Sequence, residues 1–98
     1  MYNYNKWIDY DKWQEEVIIK KLENLIIESG FTVVKKIDHH FEIQGYTALW
    51  LLAESHFAIH TFPEESKMYI EISSCVKKYY DKFVAEVQTM NFCDKGKN

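Results

Sequence analysis

Apolar residues recur at helical spacing between residues 12 and 29, where Trp13, Val17, Ile18, Leu22, Leu25 and Ile26 fall on one face. Asp11 is placed to be the N-cap, with Gln14 three residues on as in a capping box, and Gly30 sits where a left-handed C-cap belongs. The period then changes to two. Phe31 to Asp38 is β-branched and reads as a strand, His40 to Ile43 as a short second strand, and Gln44-Gly45 as a turn. Thr47 to Ala53 is apolar on both faces, the pattern of a strand covered on both sides. His56 to Thr61 alternates, with His56, Ala58 and His60 on one face and Phe57, Ile59 and Thr61 on the other. Phe62 to Ser66 reads as a loop, and Lys67 to Ser74 alternates again around Met68, Ile70 and Ile72. Residues 77 to 90 read as a second amphipathic helix through Tyr80, Phe83, Val84 and Val87. Tyr2 to Ile8 and Asn91 to Cys93 are candidates for short terminal strands, and Asp94 to Asn98 reads as a frayed end.

Strands joined by short turns pair antiparallel, and two amphipathic helices can cover one face of their sheet. The expected fold is therefore α+β, a two-layer α/β sandwich with an antiparallel sheet and two helices on one face, in a single domain spanning residues 1–98. The strand from Thr47 to Ala53 needs cover on its other face too. A second copy of the chain is the simplest cover, which predicts a homodimer through the sheet face.

Composition narrows the function. A formal charge of -3 argues against a nucleic-acid partner. The near-apolar run Ala48 to Ala53 is far too short to cross a bilayer, so no membrane partner is expected. The first residues carry no signal-peptide pattern, and Cys75 and Cys93 read as free thiols, so a reducing, cytoplasmic setting is expected.

Chemistry concentrates in Ala53-Glu-Ser-His-Phe-Ala-Ile-His-Thr-Phe-Pro-Glu64. A plain structural reading exists: Glu54-Ser55 is a polar hairpin turn, and His56 and His60 are strand residues facing water. A serine hydrolase lacks support, since Ser55 has no G-x-S-x-G elbow and no acidic partner can be assigned to His60. A zinc site drawn from His39, His40, His56, His60 and Cys75 lacks ligand spacing, and no metal is expected.

The same segment resembles the self-processing region of the prokaryotic S-adenosylmethionine decarboxylases. Glu54-Ser55-His56 matches their E-S-H, Ile59 to Glu64 matches I-H-T-aromatic-P-E, and Cys75 follows Ser55 by twenty residues as their pattern requires. The likeness runs from about residue 8 to residue 85, with Ala48 and Val76 standing where glycine is common. It implies self-cleavage between Glu54 and Ser55, which turns Ser55 into a pyruvoyl cofactor heading the C-terminal fragment. That ketone forms a Schiff base with the amine of a small-molecule substrate and acts as the electron sink for loss of carbon dioxide. His60 then corresponds to the proton acceptor of processing, Thr47 to an assisting hydroxyl usually supplied by serine, and Cys75 to the proton donor of decarboxylation. Phe41 matches an aromatic stacking on adenine, Glu64 a carboxylate accepting from ribose hydroxyls, and Phe62 a position often held by Trp or Tyr. In that family active sites lie between two protomers whose sheets face each other. The resemblance implies decarboxylation of S-adenosylmethionine for spermidine synthesis. Two alternatives stay open: a pyruvoyl-dependent decarboxylase of arginine or ornithine, and a non-cleaving domain with a binding or regulatory role.

Overall fold

The structure is a computed structural model that describes residues 1–11 and 14–90. Its elements are β1 (Tyr2–Asp9), α1 (Glu15–Ser29), β2 (Val33–His40), β3 (Tyr46–Leu52), β4 (Ser55–Phe62), a single 3-10 turn at Pro63–Glu65, β5 (Lys67–Ser74) and α2 (Lys77–Thr89). The five strands form one antiparallel sheet in the order β1-β5-β4-β3-β2. Both helices cover one face of it, as the two-layer sandwich predicted.

The core lies between the helices and that face. Ile18, Leu22, Leu25 and Ile26 of α1 and Phe83 and Val87 of α2 meet Ile8, Ala48, Trp50, Leu52, Phe57, Ile59, Met68, Ile70 and Ile72 of the sheet. The centre is aromatic: Phe57 packs against Trp50 at 5.3 Å and edge-on against Phe83 at 5.4 Å between ring centroids. Trp50 is fully buried, and its indole N–H is satisfied by donating to Glu23 Oε2 of α1 at 2.9 Å. Lys36 closes over the same site, 3.6 Å from Glu23 and 4.9 Å above the Trp50 ring. The Trp50 hydrogen bond, reinforced by Lys36 and Lys20 and opposed by burial, holds the Glu23 carboxyl below its ordinary pKa.

Several local expectations change. Gln14, not Asp11, is the N-cap of α1, and no side chain caps it. The amide of Gln14 instead donates to the Asp11 carbonyl at 2.8 Å, a backbone turn in place of the capping box. Val17 is exposed, because the buried stripe runs one position round through Ile18, Leu22 and Leu25. Trp13, the strand at Asn91 to Cys93 and the frayed end Asp94 to Asn98 lie outside the described residues. Gly30 caps α1 at φ +116°, as expected. His40 to Ile43 is not a separate strand: His40 ends β2, and Phe41 to Gly45 turns back, with the Phe41 amide donating to the Gly45 carbonyl at 2.9 Å. Gly45 closes that turn at φ +111°. Tyr2–Asp9 is a full edge strand.

Among the described residues no helix covers the second face of the sheet. Trp7, Ile37, Leu49 and Leu51 stand there, each between 41% and 56% exposed. The two-sided apolar pattern of β3 thus resolves into Ala48, Trp50 and Leu52 toward the helices and Leu49 and Leu51 on the open face.

Candidate active site

The candidate residues fall into two groups. The first lies at the β3–β4 hairpin. Leu52 pairs with Ser55, so the turn is Ala53-Glu54 and Ser55 opens β4, one position earlier than the pattern predicted. The Ala53 amide donates to the Thr32 carbonyl at 3.0 Å and ties the turn to the segment after α1. Glu54 has φ +62°, a left-handed conformation in which a side chain costs about 1–2 kcal/mol. The Cys75 thiol donates to the Glu54 carbonyl at 2.9 Å, and Sγ also lies 3.7 Å from Glu54 Oε1. Ser55 is buried on the helix side, and its hydroxyl donates to Ser74 Oγ at 2.9 Å. The peptide between Glu54 and Ser55 is thus strained on its acyl side and held by its carbonyl oxygen and by the adjacent hydroxyl.

The second group lies on the open face. Thr47 and His60 are directly opposed in the β3–β4 ladder, with Thr47 Oγ1 3.1 Å from His60 Nδ1. Tyr69, the cross-strand neighbour of His60 in β5, stacks on the imidazole at 6.2 Å. Burial, with the Glu71 hydrogen bond and charge behind it, raises the Tyr69 pKa. Trp7 continues the row, 5.0 Å from Tyr69 and 5.6 Å from Phe62. On the other side of Thr47, a shallow cavity of about 230 Å³ is lined by Ile37, Asp38, His39, Phe41, Thr47 and Leu49. Phe41 is half exposed at its rim. Glu64 is exposed in the turn that follows Phe62.

Within one chain the two groups do not meet. His60 is five residues along β4 from Ser55, about 16 Å at the usual strand rise, and an odd separation puts the two side chains on opposite faces. Glu54, Ser55 and Cys75 converge, and Thr47, His60 and Phe41 converge separately. A Ser55–His60 nucleophile pair inside one chain is therefore excluded. His56 is exposed on the open face, on the side of β4 opposite to Ser55. Among the described residues no three His, Cys, Asp or Glu side chains are grouped to hold a metal ion.

Two neighbours escaped the sequence reading, Ser74 and Tyr69. Both follow from counting the hairpin register, which sets Ser55 opposite Ser74 and His60 opposite Tyr69. Val76 sits at φ -108°, where no glycine is needed, and Ala48 is fully buried beneath the helices.

Known proteins agree with this architecture. A solved adenosylmethionine decarboxylase from Aquifex aeolicus VF5 superposes with a TM-score of 0.65 over 91% of this chain and 81% of its own, at 19% identity, a likeness of fold. The S-adenosylmethionine decarboxylase proenzyme of Prochlorococcus marinus MIT 9313 is 37% identical over 68 residues, 68% of this chain and 54% of the relative. That of Clostridium botulinum Loch Maree is 36% identical over 62 residues, 63% of this chain and 53% of the relative. The chain thus spans about half the length of the curated relatives it matches. No helix among the described residues is long and apolar enough to cross a membrane. The family model for S-adenosylmethionine decarboxylase matches residues 9–95, and on that extent the chain belongs to this family.

Proposed function

We propose that this chain cleaves itself between Glu54 and Ser55 and, in the form so made, decarboxylates S-adenosylmethionine. The observation that carries the reading is the hairpin: a left-handed Glu54 whose carbonyl meets the Cys75 thiol, followed by a buried Ser55 hydroxyl. An amide resists attack, and strain plus a donor on its oxygen are the two means a protein has to weaken that resistance. Ser55 Oγ would bond to the Glu54 carbonyl carbon, the carbon–nitrogen bond would break, and the hydroxyl proton would pass to the freed nitrogen. Loss of the Ser55 α-proton would then expel the Glu54 carboxylate and leave dehydroalanine. Water would replace its nitrogen, releasing ammonia and leaving a pyruvoyl group at residue 55. These residues fit that group: Ser55 is its source and begins a strand, so it would head the C-terminal fragment with its backbone held in the ladder.

The pyruvoyl ketone supplies an electron sink for an amine substrate. The chain's own side chains do the rest. Cys75, against the scissile carbonyl, is near enough to residue 55 to return a proton to carbon after carbon dioxide leaves. His60, buttressed by Thr47 and Tyr69, accepts the α-proton in processing. Phe41, half exposed above the cavity beside Thr47, offers a face for adenine, and Glu64 offers its carboxylate to ribose hydroxyls.

The separation of the two groups supports assembly from two copies. A two-fold pairing places the Ser55–Cys75 half of one copy with the Thr47–His60–Phe41 half of the other, and repeats it by symmetry. The exposed Trp7, Ile37, Leu49 and Leu51 give such a pairing an apolar surface to bury. The setting we propose is cytoplasmic, with spermidine synthesis consuming the product.

Intact mass under denaturing conditions tests the first step. Two fragments, one ending at Glu54 and one beginning with a pyruvoyl-blocked residue 55, are expected. A chain that stays whole for days refutes it. Release of carbon dioxide from S-adenosylmethionine tests the second, and turnover of arginine or ornithine alone overturns the substrate assignment.

A further inference from the structure

Ser74 grips the hydroxyl that the proposed cleavage uses as its nucleophile. It ends β5 opposite Ser55, the first residue of β4, and both are buried. The Ser74 oxygen accepts from Ser55 Oγ at 2.9 Å and from the Val76 amide at 2.9 Å, while its own proton points to the Val76 carbonyl at 3.3 Å. A hydroxyl has one proton and two lone pairs, so Ser74 is fully committed. The proton of Ser55 is thereby held toward Ser74, and the Ser55 lone pairs are left for a carbon. Cys75, the next residue, holds the Glu54 carbonyl oxygen. One dipeptide, Ser74-Cys75, therefore fixes both reacting partners of the same peptide bond.

We propose that Ser74 is a positioning residue for self-cleavage, fixing the rotamer of Ser55 for attack on the Glu54 carbonyl. The inference rests on the reading that this bond cleaves. Ser74 does not act as a base: both of its lone pairs already accept, from the Ser55 hydroxyl and the Val76 amide, and it keeps its own proton while donating it to the Val76 carbonyl. Its effect falls on the first step, in which the Ser55 oxygen–carbon bond forms and the amide carbon–nitrogen bond breaks.

The test follows freshly made full-length precursor by denaturing intact mass, with and without neutral hydroxylamine. Hydroxylamine displaces Ser55 Oγ from an accumulated ester, giving a Glu54 hydroxamate and a fragment that starts with Ser55. Ser74→Ala is expected to slow cleavage about 10- to 100-fold, the penalty for a misaligned nucleophile. It should show no hydroxylamine-sensitive ester, because the ester does not form. Ser74→Thr, which keeps the hydroxyl, should recover most of the rate, and Ser74→Ala should melt within a few degrees of a Ser55→Ala precursor. Wild-type cleavage rates in Ser74→Ala overturn the proposal. So does slow cleavage with trapped ester, which puts the defect in elimination, and so does a large fall in melting temperature shared by Ala and Thr variants, which makes the role structural. A wild-type chain that never cleaves instead removes the parent reading, and the inference with it.

Discussion

Glu54 is the most direct place to test whether backbone strain works in this site. Its φ of +62° is relieved by glycine, and Glu54→Gly also deletes the carboxylate beside Cys75. Glu54→Ala deletes the same carboxylate but keeps the strain, so the comparison of Gly with Ala isolates the backbone. A side chain in this conformation costs about 1–2 kcal/mol. Glycine's greater freedom in the unfolded chain opposes the gain by about 0.4–1 kcal/mol. The net stabilisation of Gly over Ala, measured by thermal melting on a Ser55→Ala background, is then about 0.5–1 kcal/mol, or about 4 °C for a domain this size. The unfolded chain plays no part in cleavage, so the rate reads the full strain: if it is released on reaching the transition state, Gly cleaves about 5- to 30-fold more slowly than Ala. Rates are followed by denaturing intact mass. Equal rates with a raised melting temperature would show that the strain persists through the transition state and does not activate the bond. A melting temperature that falls would show that Glu54 is not strained, and the reasoning fails at its first step.

Three further outcomes test the fold. The Glu23 carboxyl has a lowered pKa, so its contribution is present above its ordinary value of 4.5 and is lost as pH falls through the lowered folded one. Glu23→Gln should therefore lose about 1 kcal/mol in urea melts at neutral pH, with the gap from wild type closing in acid. Burial first, and then hydrogen bonds to Glu15 and Asp38, raise the pKa values of Tyr10 and Tyr46. Their contribution is fully present below the ordinary value of about 10 and is lost as pH rises from there through the raised folded values, so Tyr10→Phe and Tyr46→Phe should flatten the alkaline fall in melting temperature. A Cβ added at Gly30 would lie 2.6 Å from the Tyr79 ring at φ +116°, so Gly30→Ala should lower stability by about 2–4 kcal/mol by urea titration.

Much of this was legible in the chain. Periodicity delivered both helices, Gly30 marked the end of α1, and the alternation of Lys67 to Ser74 matched β5 residue for residue. The doubly apolar run of β3 pointed to a face the helices leave bare, where Leu49 and Leu51 stand exposed. Local signals misled where a backbone contact decided the outcome. Asp11 has capping chemistry, but the chain turns through its carbonyl instead. His40 to Ile43 has strand residues, but Gly45 bends the chain back onto Phe41. The candidate site was legible as a set of residue types and illegible as a shape. Ser55 and His60 are close in sequence, yet a strand carries side chains apart and alternates their faces, so the motif's compactness on paper is undone by the geometry of β4. Ser74 carried no signal of its own, since a serine at the end of a strand is unremarkable until the register sets it opposite Ser55.

We propose that one working site draws its halves from two copies. Co-expression of Ser55→Ala with His60→Ala tests it most directly. Neither variant alone should cleave, the first for want of a nucleophile and the second for want of a proton acceptor. In a mixed dimer, the intact Ser55 and Cys75 of one copy meet the intact Thr47 and His60 of the other. With random pairing, about half of the His60→Ala chains should then appear as two fragments by denaturing intact mass, while every Ser55→Ala chain stays whole. A mixture in which native mass spectrometry finds mixed dimers and no chain cleaves would contradict the account.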